Sequence, residues 1–243
     1  RQRREFGEQM FDRIEPFADY SFNKSHTVGY GLITFQTAYL KANHPREYLA
    51  ALLTSVKGDK DKSAIYLNEC RQLEIPVLVP DVNTSGMDFS VYEGSIRFGL
   101  SAVRNVGEGV VAKIIEARDQ DGSFADFYDF CERVDPSVLN KRTIESLAKA
   151  GAFDSVGHPR QGLSLAFEGI VDLILARRRE RDAGVMSLFG ESSPEGDAFA
   201  DFDRPEIPDQ EFTKPQRLAF EKEMLGLYVS DHPMMGAERA LRK

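Results

Sequence analysis

RFGLSAVRNVGEGVVAKIIEAR, residues 97–118, reads as a helix-like run, a tight glycine hairpin at Val106-Gly107-Glu108-Gly109, and a second helix. In that second helix Val110, Val111, Ile114 and Ile115 share one face at spacings of one, three and four, and Gly122 ends the pattern. The two glycines therefore precede a helix start. There the backbone is free to turn with φ > 0, and bare N–H groups add to the unpaired amides of the first helical turn. Such a place receives an anion, most naturally a phosphate.

Two phosphate-binding readings compete for this stretch. Gly107-x-Gly109-x-x-Ala112 also matches the dinucleotide fingerprint, with Asp126 or Asp129 roughly where an acidic ribose ligand would fall. That fingerprint must follow a buried parallel strand directly, whereas Arg104 and Asn105 precede this one, and residues 124–134 read as a helix where the second strand belongs. What remains is a helix-hairpin-helix, which resembles the DNA-binding units of polymerases, ligases and repair nucleases. Backbone amides on phosphate fix position without reading bases. A plain glycine turn between packed helices stays open as the alternative.

The chain has 243 residues, 42% of them hydrophobic and 29% charged, ordinary proportions for a globular protein with a real core. No apolar run reaches transmembrane length, and Arg1-Gln2-Arg3-Arg4-Glu5 is not followed by the apolar stretch of a signal peptide, so the expectation is a cytoplasmic protein without membrane contact. Cys70 and Cys131 stand alone inside amphipathic helices and read as buried reduced thiols. The net charge of −8 argues against a protein that coats nucleic acid through a broad basic surface. Residues 183–243 carry 7 Lys and Arg against 12 Asp and Glu, while residues 97–149 carry 8 against 9, so the acid excess lies mainly in the tail. DNA, if bound, is held by local geometry.

Along the chain, a short helix around Met10, Phe11 and Ile14 is expected to stop near Pro16. Asn23 is then a good cap for a helix to about residue 42, with Leu32, Phe35 and Tyr39 inward. Lys24 and His26 occupy its first turn, where a cation is unfavourable unless an anion sits between them; a solvated lysine and a satisfied histidine are the alternative. Gly29 and Gly31 each cost about 1 kcal/mol in a helix interior, which suggests a close approach to that backbone. Pro45 opens a helix with Tyr48, Leu49, Leu52, Leu53 and Val56 buried. Asp59, Asp61 and Ser63 hint at a calcium loop, but the sixth position lacks glycine and Cys70 stands where glutamate belongs.

Further on, a helix over 61–73 leads to a short buried strand at 75–79, and two alternating runs around Glu93-Gly94 read as a hairpin. Ser123 is the expected cap of a helix with Phe124, Phe127, Tyr128, Cys131 and Val134 on one face. Asn140 caps the next helix and Gly151 stops it, repeating the helix-turn-helix plan. A tandem of such units puts Lys141 and Arg142 where Gly107 and Gly109 stand in the first, unless the pair simply faces solvent. A last core helix carries Leu163, Phe167, Ile170 and Ile174 inward. Residues 190–210 turn to Gly, Ser, Pro and Asp and read as a flexible linker, with the apolar island Met186-Ser187-Leu188-Phe189 before them as either a docking peptide or a helix tail folded back on its own core. Pro215 opens a final helix ending at Gly226.

Taken together, FNKSHTVGYGLITFQTAYLKANHPREYLAALLTS, LVPDVN, IRFGLSAVRNVGEG, LNKRTIESLAKAGAFD and LAFEKEMLGLYVSDHP resemble one family, the alpha subunit of bacterial DNA polymerase III. The resemblance implies a mainly α fragment with a small β-hairpin: distal fingers over 1–80, a tandem helix-hairpin-helix region over 81–182, a flexible linker with a clamp-docking peptide over 183–213, and a helical lead-in to a further domain over 214–243. It implies template-dependent addition of dNTP to a primer, with Mg held by palm carboxylates outside this fragment. No cofactor is expected within it. By resemblance, Lys24 and His26 face the incoming triphosphate; Gly107, Gly109, Lys141 and Arg142 hold duplex primer-template DNA; and Ser187, Leu188 and Phe189 meet the sliding clamp. Other replicative holoenzyme subunits are implied as partners. In the clamp peptide Val185 stands where the family has glutamine. The rival readings are a stand-alone DNA-binding or clamp-docking module and a dinucleotide enzyme using residues 107–112.

Overall fold

The computed structural model describes residues 2–18, 24–183 and 204–231, which form a mainly helical protein with one small sheet. The expected cap Asn23 and the peptide Ser187-Leu188-Phe189 lie outside the described residues. The chain divides into two compact units, Arg1–Tyr48 and Leu49–Lys243.

The first unit holds α1 (Gln2–Ala18), α2 (Lys24–Asn43) and the start of α3 (Pro45–Ser55). Pro16 does not stop α1, contrary to expectation. It lies two residues from the helix end, where the one hydrogen bond it forfeits belongs to a fraying turn. The second correction concerns α2, whose Leu32, Phe35 and Tyr39 are exposed rather than inward. Val28, Tyr30, Ile33 and Leu40 are exposed as well. A helix that is apolar on every side needs cover on every side.

In the second unit the end of α3 buries Leu49 and Leu53, and α4 (Lys60–Gln72) buries Leu67 and Cys70 behind an Asp59 cap that accepts from the Lys62 N–H. A three-stranded sheet follows, β1 (Val77–Leu78), β2 (Ser90–Tyr92) and β3 (Ser95–Arg97), in the order β1-β3-β2. Here β1 runs parallel to β3, and β2 antiparallel to it with Val91 opposite Ile96. Glu93 and Gly94, at φ 46° and 78°, make the two-residue left-handed turn that a hairpin favours.

The segment LVPDVNTS, residues 78–85, ties this sheet to the helices. Ser85 Oγ donates to the Phe98 carbonyl at 2.7 Å, the Val82 N–H to the Ala152 carbonyl at 2.9 Å, and the Phe124 N–H to Asn83 Oδ1 at 2.7 Å. Residues 99–105, expected as helix-like, form only a 3-10 turn at Leu100–Ala102. The amides of Leu100 and Ser101 donate back to the carbonyls of Gly86 and Met87, so they are not available to an α-helix. A Cβ on Gly99 would run into the Met87 and Asp88 backbone, which is why glycine stands there.

Next come α5 (Glu108–Asp121), ended by Gly122 at φ 85°, and α6 (Phe127–Arg133). The cap of α6 is Asp126, accepting from the Asp129 N–H, and not Ser123: the Phe124 carbonyl accepts from Asn83 Nδ2, and the Ala125 N–H, which a Ser123 cap would hold, donates to Asp129 Oδ2. α7 (Lys141–Ala150) has the expected Asn140 cap and left-handed Gly151 stop, and packs against α8 (Arg160–Asp182) and α9 (Lys214–Leu225). Phe124, Phe127, Phe130 and Phe153 meet at ring separations of 4.9 to 6.2 Å and centre the core.

Residues 204–213, expected within a flexible linker, run pinned along this core. Tyr128 Oη donates to the Pro205 carbonyl, the Gly162 N–H donates to the Gln210 carbonyl at 2.9 Å, and a Cβ on Gly162 would strike the Pro208 carbonyl. Cys70 and Cys131 are buried free thiols; burial pushes Cys70 up to about 11 and raises Cys131 as well.

Candidate nucleic-acid interface

The hairpin turns at a different residue from the one expected. Gly107 caps α5 at φ −81° and ψ 152°, Glu108 and Gly109 are its first helical residues, and neither glycine takes positive φ. The left-handed residue is Asn105, at φ 65°. Asparagine is among the few residues that enter this region readily, which is the signal that sequence reasoning missed. Its side chain donates to Ser146 Oγ at 3.0 Å, its carbonyl accepts from Thr143 Oγ1 at 3.5 Å, and the neighbouring Arg104 N–H donates to the Met224 carbonyl at 2.9 Å. Asn105 thereby joins the turn before α5 to the first turns of α7. Val106 is buried beneath it.

The glycines serve another purpose. A Cβ on Gly107 or Gly109 would meet nothing within 4 Å, so packing inside the protein does not require glycine at either place. Both are exposed, and among the described residues the N–H groups of Gly107, Glu108 and Gly109 donate to nothing; the first bonds of α5 run from Val110 and Val111 to the Gly107 carbonyl. No side chain caps this helix. Three amides and the positive end of a 14-residue helix therefore face solvent together.

α7 starts differently. Asn140 Oδ1 accepts from the N–H of Arg142 at 2.9 Å and from that of Thr143 at 3.4 Å, so its first amides are largely occupied. Lys141 is held by Glu168 at 3.1 Å and Asp172 at 3.0 Å on α8, and hydrogen bonds to the Asp172 and then the Glu168 carboxylate raise its pKa. Arg142 is exposed with its guanidinium in no hydrogen bond or ion pair among the described residues, and Arg104 is in the same condition. The two hairpins are thus unequal: the first offers amides, the second offers Arg142.

An acid in the first turn of α5 opposes an incoming phosphate. Glu108 is matched by Lys57, whose ammonium lies 3.1 Å from it, 3.0 Å from Asp88 and 3.2 Å from Ser101 Oγ. The Asp88 and Glu108 carboxylates raise the Lys57 pKa, and the Lys57 ammonium offsets part of the negative charge at the start of α5.

In the first unit Lys24 is the first residue of α2, its side chain lying outside the described residues. His26 is exposed two residues on, its ring stacked on Tyr30 at 6.3 Å and 25°. Among the described residues no group of three His, Cys, Asp or Glu is placed to hold a metal ion, and no helix is long and apolar enough to cross a membrane.

A family profile described as a helix-hairpin-helix motif matches residues 74–163. The chain is 51% identical over 233 residues to the DNA polymerase III subunit alpha of Mycobacterium tuberculosis, a match covering 96% of the chain and 20% of that protein. The DNA polymerase III subunit alpha of Thermus aquaticus is 43% identical over 93% of the chain and 18% of its own length. That of Borreliella burgdorferi is 37% identical over 98% and 21%. The chain spans about a fifth of the length of the curated relatives it matches.

Proposed function

We propose that this chain, homologous over nearly all its length to one stretch of DNA polymerase III subunit alpha, acts as a DNA-gripping and nucleotide-contacting portion of a replicative DNA-directed DNA polymerase. The observation that carries the reading is the start of α5, where three unpartnered amides face solvent inside the segment matched as a helix-hairpin-helix. A phosphodiester oxygen of duplex primer-template DNA sits against Gly107, Glu108 and Gly109, and Arg142 reaches a second phosphate. No base edge is read, as suits an enzyme that must copy every sequence.

Residues 1–80 then serve as distal fingers, 81–182 as the duplex grip, and 183–213 as a connection carrying the clamp peptide Ser187-Leu188-Phe189 toward a sliding clamp. Residues 214–243 lead into a further domain. Transfer of the nucleotide to the primer hydroxyl relies on Mg held by carboxylates elsewhere in the polymerase, working with other holoenzyme subunits in the cytoplasm. Lys24 and His26 contact the incoming dNTP, a reading supported by two basic residues in the first turn of α2, where a bound anion would relieve the unfavourable dipole.

The test is primer extension by the full-length polymerase. Lys24→Ala and His26→Ala are each expected to raise the apparent KM for dNTP by about 10-fold or more, the size of one lost charge-assisted hydrogen bond. Unchanged KM and turnover in both variants would remove the nucleotide contact. A stand-alone DNA-binding or clamp-docking module is the competing reading. It requires full biological activity from the chain by itself, without an attached polymerase centre.

A further inference from the structure

The cation beside the start of α5 comes from outside the hairpin that it serves. Lys57 lies in the turn between α3 and α4, whereas the segment matched as a helix-hairpin-helix begins at residue 74. Its ammonium has three N–H groups and meets three acceptors: Asp88 Oδ1 at 3.0 Å, Glu108 Oε1 at 3.1 Å and Ser101 Oγ at 3.2 Å. The Asp88 side of this cluster is built in, since Ser101 Oγ lies 3.4 Å from Asp88 Oδ1 and the Ser101 N–H is bonded to the neighbouring Met87 carbonyl. Glu108 is the exposed member, its side chain 70% accessible, and it stands in the first turn of α5 between Gly107 and Gly109. Among the described residues Lys57 is the sole ion-pair partner of either carboxylate.

We propose, on the reading that the start of α5 grips a DNA phosphate, that Lys57 is a positioning residue for that grip: its ammonium draws the Glu108 carboxylate toward Asp88 and Ser101 and so limits its repulsion of the incoming phosphodiester. With Lys57 present the two carboxylates leave one net negative charge; without it they leave two. The hairpin is then not self-sufficient, because the connection between α3 and α4 supplies the charge that lets DNA approach. An ion pair this exposed contributes little to stability, so removing the lysine changes the field in front of the amides far more than it changes the fold.

The experiment uses the full-length polymerase, with fluorescence anisotropy on a labelled primer-template duplex across a salt series and the melting temperature of every variant beside it. Lys57→Met, which keeps most of the stem and drops the charge, is expected to bind DNA about 10-fold more weakly at low salt, the order expected for one uncompensated charge near a phosphate. The deficit should shrink as salt rises, because added ions screen the freed carboxylates. Lys57→Arg should stay within about threefold of the parent. Adding Glu108→Gln to Lys57→Met restores the net charge and should bring affinity back to within about threefold. Lys62→Met removes the same charge from an exposed lysine paired only with Asp59, and should cost less than about threefold.

Unchanged binding in Lys57→Met, beside weakened binding when Gly107 and Gly109 are both replaced by valine, would overturn this inference and leave the phosphate grip standing. A loss in Lys57→Met that Glu108→Gln does not relieve would overturn it too, since the lysine would then act by shaping its turn. An equal loss in Lys62→Met would also overturn it, because net charge and not the contact with Glu108 would be responsible. Unchanged binding in the double valine variant would remove the grip and this inference together.

Discussion

Arg160→Met is expected to destabilise residues 49–231 by about 3–5 kcal/mol, the cost of leaving a buried charge without its partner. The Arg160 side chain is 7% exposed and that of Glu221 is 1% exposed. The guanidinium grips Asp154 with two bonds, at 2.8 and 2.6 Å, and Glu221 with one at 3.0 Å. Ser230 donates to the same glutamate through Oγ at 2.8 Å and its N–H at 3.1 Å. One arginine therefore joins the turn after α7, the start of α8, α9 and the segment beyond α9. Gly151 is glycine partly for this reason, since a Cβ would strike the guanidinium.

Without Arg160, Glu221 keeps only serine donors in a site that excludes water. Urea titration of Arg160→Met should show the midpoint falling with little change in slope, and heating should show a transition about 6–20 °C lower. Arg160→Met combined with Glu221→Leu should recover much of the loss, because two apolar side chains replace a buried pair at little net cost. A single variant as stable as the parent would mean that the cluster is open to water.

The second large effect concerns binding. Replacing Gly107 and Gly109 together by valine should weaken binding to duplex DNA about 10- to 100-fold while leaving the melting temperature within a few degrees. Neither side chain meets protein, and both backbones already hold conformations open to any residue. Two branched side chains would instead stand over the amides at the start of α5 and keep a phosphate away. Charge-assisted hydrogen bonds contribute about 1.5–3 kcal/mol each, so losing the approach to even one of three donors is measurable by fluorescence anisotropy.

The local grammar of this chain is legible in its residues. Asn140, Gly122, Gly151 and Gly226 bound their helices as their residue types predict, Glu93-Gly94 turns the hairpin, and α5 starts beside Gly107 as the glycine pattern predicts. Where structure and pattern part, the common cause is long-range hydrogen bonding. Residues 99–105 carry a helix-like pattern but donate to 86–87, and Ser123 is a good cap next to a residue that Asn83 already fixes. Lys141 has the local setting of a free cation, yet its partners Glu168 and Asp172 lie 27 and 31 residues away. Arg160 and Glu221 are 61 apart, with no sequence mark of their pairing. The apolar residues of α2 suggest an inward face because periodicity reports that a surface wants cover and not where the cover comes from.

The most direct test of the phosphate grip is a comparison of Glu108→Pro with Glu108→Ala on a duplex across a salt series. Both remove the same carboxylate. Proline also deletes one amide donor at the first helical position, where it is well tolerated, and Gly107 at ψ 152° already has the extended conformation that a following proline requires. Glu108→Ala should bind DNA at least as tightly as the parent, with sequence-indifferent, salt-sensitive affinity, and Glu108→Pro should bind about 10-fold more weakly than Glu108→Ala at equal stability. Equal affinities of the alanine and proline variants would refute the grip, and the glycines at the start of α5 would then be turn chemistry alone.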